Sequence, residues 1–180
     1  LLIVDEIQTG FGRTGKMFAV QHYNVTPDLL TCAKSLAGGV PMGAVLIGPN
    51  VKNLTPGVHG STFGGNPLSC AAANAALDVM REEDLPGQAA AKGAYLVEKL
   101  KKIESPNIRE IRGLGLMVGI EMKQKVTGYI KALQERKIIA LNAGLTVIRL
   151  LPPLVITYEQ IDHLVEVLTE VLTSEMQNSE

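Results

Sequence analysis

The chain has 180 residues, 46% of them hydrophobic, and its 17 Lys and Arg against 18 Asp and Glu give a formal net charge of -1. So apolar and so nearly neutral a composition excludes a disordered chain, and it leaves no electrostatic footprint for nucleic acid. No apolar run is long enough to span a bilayer. The 2 cysteines, Cys32 and Cys70, are too few for a disulfide framework or a Cys-rich zinc site, so the expected setting is reducing and cytoplasmic.

The chain opens on Leu1-Leu2-Ile3-Val4, which reads as a buried parallel-type strand ending in Asp5-Glu6. This apolar burst is too short and wrongly flanked for a signal peptide. Domains seldom begin on a central strand, so the expectation is the C-terminal part of a longer protein. Gln8 to Lys16 reads as a glycine-rich loop, Met17 to Tyr23 as a short helical turn, and Leu29 to Ala33 and Met42 to Ile47 as strands. An Ala-rich helix from Pro67 to Arg81 and a second from Pro86 to Ile103, with lysines at its end, follow. Beyond Ser105-Pro106-Asn107 the pattern becomes α+β: a strand over Leu116 to Met122, a helix over Tyr129 to Lys137, strands over Ile138 to Asn142 and Thr146 to Leu150, and a helix over Tyr158 to Thr173. The fold class is therefore α/β, with a domain over 1–105 and a smaller α+β domain over 106–180. Ser174 to Glu180 reads as a frayed polar tail.

Gly10-Phe11-Gly12-Arg13-Thr14-Gly15 matches the G-x-G-x-x-G of dinucleotide folds. Such a fold needs an acid at the end of the next strand, for the ribose. That strand ends at Lys34, and no Asp or Glu lies between Asp28 and Asp78. The stretch from Gly10 to Lys16 also approaches a P-loop, but Met17 stands where a Ser or Thr hydroxyl must ligate magnesium. A nucleotide-binding module built on this loop is kept as the rival from a different class.

The residues with chemistry at stake are Asp5, Gln8 and Lys34. Asp5 closes the first strand and Lys34 the second, at the sheet edge where open α/β folds bind ligands. An ion pair would explain any arbitrary acid and amine. Here the lysine stands at the mouth of an apolar strand, before Ser35-Leu36-Ala37-Gly38-Gly39, a loop with little bulk. A partly desolvated amine there suits attack on a carbonyl.

Three segments in order, Asp5-Glu6-Ile7-Gln8-Thr9-Gly10-Phe11-Gly12-Arg13-Thr14-Gly15, Ala33-Lys34-Ser35-Leu36 and His59-Gly60-Ser61-Thr62-Phe63-Gly64-Gly65-Asn66-Pro67, resemble the class III pyridoxal-phosphate aminotransferases. The resemblance runs from Leu1 to about Thr173. It is nearest to the acetylornithine branch and its relatives in lysine biosynthesis, whose substrates are carrier-linked. It implies the C-terminal part of a fold-type I transferase: the end of the large domain plus the small C-terminal domain. It also implies pyridoxal 5'-phosphate as cofactor, amino-acid and 2-oxo-acid substrates, and a homodimer with shared active sites. Asp5 would pair with the pyridine nitrogen, Ile7 would cover a ring face, Gln8 would donate to the ring hydroxyl oxygen, and Lys34 would carry the cofactor and shuttle the proton. Glu6 would either touch the cofactor or stand as a solvated or supporting acid. Thr62 would hold the phosphate across the dimer interface, and Ser61 would lie by the substrate; both are also candidates for a capping turn before Pro67. Because the family's chains are about twice this long, 180 residues alone are expected to bind the cofactor weakly.

Arg149, in Val147-Ile148-Arg149-Leu150-Leu151-Pro152-Pro153, is costly to bury unpaired and is expected to clamp a substrate carboxylate, with a snorkelling surface arginine as its alternative. Arg112 reads as closing a structural turn. His22, His59 and His163 lack metal-ligand spacing, so no metal is expected. The expected reaction moves the ω-amino group of an N-acylated or carrier-linked ornithine or lysine to 2-oxoglutarate, in arginine or lysine biosynthesis. Transfer from ornithine or 4-aminobutyrate is the rival within the class.

Overall fold

The computed structural model describes residues 1–174 and divides into two compact units, Leu1–Gly87 and Gln88–Glu180. The boundary expected near residue 105 falls inside the second unit. The reason lies in the helix before it, whose Ala89, Leu96 and Leu100 are fully buried in that unit's core. The expectation for the tail at 175–180 lies outside the described residues.

In the first unit a three-stranded sheet has the order β1 (Ile3–Asp5), β2 (Leu29–Cys32), β3 (Ala44–Ile47). β1 and β2 run parallel, with Asp5 opposite Thr31, and β3 is antiparallel to β2. The opening strand is not buried as expected. β1 is an edge strand, and Leu1 and Ile3 are 85% and 61% exposed. The expected turn after the loop is a 3-10 turn over Ala19–His22, and a second 3-10 turn runs over Lys34–Ala37. Helix α1 (Pro67–Glu82) has Pro67 in its first turn, where the missing N–H costs nothing. Its cap is Asn66 rather than Ser61 or Thr62: Asn66 Oδ1 accepts from Ser69 N–H at 3.0 Å.

In the second unit helix α2 (Leu85–Leu100) precedes strands β4 (Ile108–Leu114) and β5 (Met117–Met122), helix α3 (Thr127–Glu135), strands β6 (Leu141–Ala143) and β7 (Val147–Leu150), and helix α4 (Tyr158–Thr173). The sheet is antiparallel in the order β4-β5-β7-β6. Alternation along β5 and β7 sends Val118, Ile120, Ile148 and Leu150 to a dry face, where they share one core with Leu96, Leu133, Ile161 and Leu168. Gly93 of α2 lets the backbone of the β4–β5 turn approach: a Cβ there would meet Gly115 O at 2.0 Å. α4 opens with a capping box in which Thr157 Oγ1 accepts from Gln160 N–H and Gln160 Oε1 from Thr157 N–H. No helix among the described residues is long and apolar enough to cross a membrane.

Candidate active site

Parallel pairing of β1 with β2 brings two C-terminal strand ends to one edge of the first unit's sheet. Asp5 is the last residue of β1, and Lys34 follows β2 after Ala33. Both are exposed. Lys34 has φ 48°, the left-handed region that a non-glycine residue adopts at a cost of about 1–3 kcal/mol. Two hydrogen bonds after it hold that departure from the strand: Leu36 N–H donates to Ala33 O at 3.1 Å and Gly38 N–H to Ser35 O at 3.2 Å. Backbone strain of this kind clusters at working sites.

The Asp5 carboxylate is oriented by its own neighbourhood, since Oδ1 accepts from Ile7 N–H at 2.9 Å. Ile7 and Gln8 follow, both half-buried. The structure thus gathers Asp5, Glu6, Ile7 and Gln8 on one turn beside the strand that leads to Lys34.

Glu6 is not solvated. It is 1% exposed, on the opposite side of the backbone from Asp5 by strand alternation. Its Oε1 accepts from Val20 N–H at 2.7 Å, and its Oε2 accepts from Ala19 N–H at 3.0 Å and from the Thr9 hydroxyl. Next to it the Cys32 thiol is pushed up, first by burial and then by the Glu6 charge, so it stays protonated.

The loop that resembles nucleotide motifs folds on itself. Phe11, Gly12 and Gly15 have positive φ, Gly15 N–H donates to Gly12 O at 3.0 Å, and the Phe11 and Phe18 rings meet edge to face at 5.5 Å. His22 Nε2 lies 3.0 Å from Thr14 O. A 3-10 turn follows instead of the long helix whose N-terminus would receive a pyrophosphate. Gly10 is required for another reason: a Cβ there would stand 2.8 Å from Glu6 O.

Ser61 and Thr62 are exposed in the long connection before α1. Ser61 O accepts from Gly64 N–H at 3.3 Å, closing a tight turn around Thr62.

Arg149 belongs to the second unit. It sits on β7 opposite Gly119 of β5, and Gly119 in turn faces Arg112 of β4. Both arginines therefore stand on the outer face of the sheet, where they line a cavity of about 370 Å³ with Leu114, Met117 and Val147. Arg112 does not close a turn. It is a strand residue, and its Nη1 donates to Glu121 at 2.7 Å and Glu110 at 2.9 Å. That pairing raises the Arg112 guanidinium and holds the Glu121 carboxyl below its ordinary value, through the Arg112 hydrogen bond first. Among the described residues no group of three or more His, Cys, Asp or Glu could hold a metal ion.

The sequence matches the aminotransferase class-III family over residues 1–172. It is 52% identical over 176 residues to the LysW-aminoadipate semialdehyde transaminase of Deinococcus radiodurans, covering 97% of this chain and 41% of that protein. It is 48% identical to the acetylornithine aminotransferase of Methanothermobacter thermautotrophicus, covering 96% of this chain and 45% of that one. Among solved structures, the ornithine delta-aminotransferase of Plasmodium falciparum superposes with a TM-score of 0.89 at 39% identity, over 96% of this chain and 47% of its own. The acetylornithine aminotransferase of Elizabethkingia anophelis does so with a TM-score of 0.88 at 40% identity, over 96% and 48%.

The fold is thus that of a pyridoxal-phosphate-dependent aminotransferase, mixed α/β, and the chain belongs to the class-III aminotransferase family. It spans less than half the length of these relatives. The family's enzymes depend on pyridoxal phosphate, and a structure of the Toxoplasma gondii ornithine aminotransferase shows partial occupancy of that cofactor at its active site. The residues at the β1–β2 edge fit such a group: a carboxylate for a ring nitrogen, an apolar side chain for a ring face, an amide for a ring hydroxyl and an amine for an aldehyde.

Proposed function

We propose that the chain is part of an aminotransferase that moves the ω-amino group of an N-acylated ornithine, or of a carrier-linked ornithine or lysine, to 2-oxoglutarate. The observation that carries this reading is that Asp5, last in β1, and Lys34, just past the end of β2, lie at the same C-terminal edge of two parallel strands, in a chain about half identical to transaminases of such substrates. Bound pyridoxal phosphate supplies an electron sink for the carbon that loses its proton. Asp5 holds a proton on the ring nitrogen, because an opposite charge favours the protonated form. Ile7 fixes the ring plane by packing, and Gln8 donates to the ring hydroxyl oxygen. Lys34 binds the cofactor covalently through Nζ. Its Nζ would also be the group that moves a proton at the reacting carbon, as general base and then general acid. Thr62 holds the phosphate, supplied across the interface of a homodimer, and Ser61 contacts the substrate. Arg149 clamps a substrate carboxylate by its guanidinium fork. The protein works in the cytoplasm, in arginine or lysine biosynthesis.

A second reading, transfer from ornithine itself, has support in 49% identity over 173 residues to ornithine aminotransferase 2 of Staphylococcus aureus. Assaying the full-length enzyme with N-acetylornithine, ornithine and 4-aminobutyrate, each with 2-oxoglutarate, separates the two. The first reading expects kcat/KM for the acylated donor at least about tenfold above the others, and equal or reversed values contradict it. In the same assay Lys34→Ala is expected to lose about a thousandfold or more in rate. Arg149→Lys is expected to raise KM for an acidic substrate by about tenfold or more; an unchanged KM removes Arg149 from the site.

A further inference from the structure

The carboxylate of Glu6 takes no part in the chemistry just described, yet it is the most deeply buried charged side chain of the first unit. Its backbone is fixed on both sides. Glu6 N–H donates to Thr31 O of β2 at 2.9 Å, and Glu6 O accepts from Gly10 N–H at 2.9 Å. Its side chain gathers three donors from two later segments: the N–H groups of Ala19 and Val20, which open the 3-10 turn and lack partners within it, and the Thr9 hydroxyl. The residues on either side of it are Asp5 and Ile7, and these bond to each other across it, Ile7 N–H to Asp5 Oδ1.

We propose that Glu6 is a positioning residue for the cofactor site. Its carboxylate pins Thr9 and the Ala19–His22 turn against the end of β1, and so fixes the backbone from which Asp5, Ile7 and Gln8 are presented. This rests on the reading of Asp5 and Gln8 as cofactor-binding groups. The chain of contacts is short. Ala19, Val20 and Thr9 hold the Glu6 side chain, and the Glu6 backbone sets the Ile7 N–H. That N–H in turn orients the carboxylate that meets the ring nitrogen. A freed Glu6 would let the loop lift away, and Asp5 would lose the donor that selects its rotamer. The three donors are only half-buried, and freeing Glu6 would take from each the charged acceptor it now shares. Gly10 supports the same arrangement, since only a residue without Cβ fits beneath Glu6 O.

Glu6→Gln in the full-length enzyme tests this. The amide keeps the shape but has one accepting oxygen, and its NH2 faces N–H donors. Hydrogen exchange at the amides of Ala19 and Val20 is expected to accelerate by about tenfold or more. The pyridoxal phosphate concentration for half-saturation, read from visible absorbance, is expected to rise by about tenfold, and the pH midpoint of the bound cofactor's band to move as Asp5 loses its hold on the ring nitrogen. Thr9→Val removes one donor, should fold where Glu6→Gln does not, and is expected to move the same readouts in the same direction by less. Faster exchange with cofactor affinity within about twofold of the unsubstituted enzyme's, and with the band midpoint unmoved, overturns the proposal and leaves Glu6 a purely structural acid. Unchanged exchange at Ala19 and Val20 overturns it too. An unsubstituted enzyme that takes up no pyridoxal phosphate overturns the functional reading and this one together, and is told apart because it precedes any substitution.

Discussion

The two compact units bury their side chains by different means. Residues 88–174 bury one face of a four-stranded sheet against three helices, and nearly everything inside is aliphatic. Residues 1–87 leave much of their sheet uncovered: Ile3, Val45, Leu46 and Ile47 are all large and exposed. What they bury is a small set spread over β2, α1 and the loops, among it Phe11, Leu30, Cys32, Leu36, Ala73 and Met80, and it includes a carboxylate and a hydroxyl, Glu6 and Thr14. Order in the second unit comes from apolar contact, which is non-directional. Order at the β1–β2 edge comes from hydrogen bonds, which have direction and can set a side chain to within the tolerance that catalysis needs.

Core truncation is the strongest way to break this contrast. Leu168→Ala removes fully buried methyl groups and is expected to cost about 2–5 kcal/mol in denaturant unfolding. Val45→Thr on the exposed sheet of the first unit is expected to stay within about 0.5 kcal/mol. Equal losses at the two positions would show that β3 is covered in solution and would end the comparison as drawn.

Acid gives a smaller effect. In the second unit Arg112 holds the Glu121 carboxyl below its unfolded value, and Lys99 with Tyr95 does the same for Asp162. In the first unit Asp28 is lowered by Leu2 N–H and Asn50. A carboxyl lowered in the folded state stabilises above its unfolded pKa, and that contribution disappears as pH falls through the lowered value. The thermal midpoint is therefore expected to drop as pH falls below about 4, the ordinary carboxylate range. Glu121→Gln is expected to flatten that slope slightly, because exposed pairs contribute little. An unchanged slope would show that the Arg112 pair adds nothing to folding.

The sequence foreshadows these regions unequally. Helix α4 is readable in full, because Thr157 and Gln160 form its capping box and Ile161, Leu164, Leu168 and Leu172 recur at helical spacing. β4 is invisible beforehand. Its Arg109, Glu110 and Arg112 look like loop, and only the pairing of both arginines with Glu121 on the neighbouring strand, and of Arg112 with Glu110, explains charged residues in a sheet. The strand expected from Ile138 shrinks to Leu141–Ala143, since an apolar run does not reveal where a ladder begins. Asp5 and Lys34 are legible because strand ends are. The positive φ of Lys34 and the burial of Glu6 are not, because a residue type carries no record of its backbone angles or of donors more than a dozen residues away. The acid beside a glycine-rich loop was the one available signal for Glu6, and it does not distinguish a clamp from a ligand.

The claim on which the functional account depends is that the amine of Lys34 carries the cofactor. Borohydride treatment of the full-length enzyme with pyridoxal phosphate, followed by peptide mapping by mass spectrometry, tests it directly. The account predicts one stable phosphopyridoxyl adduct, on the peptide containing Lys34 and absent from Lys34→Ala. An adduct confined to another lysine, or none at all, would contradict it.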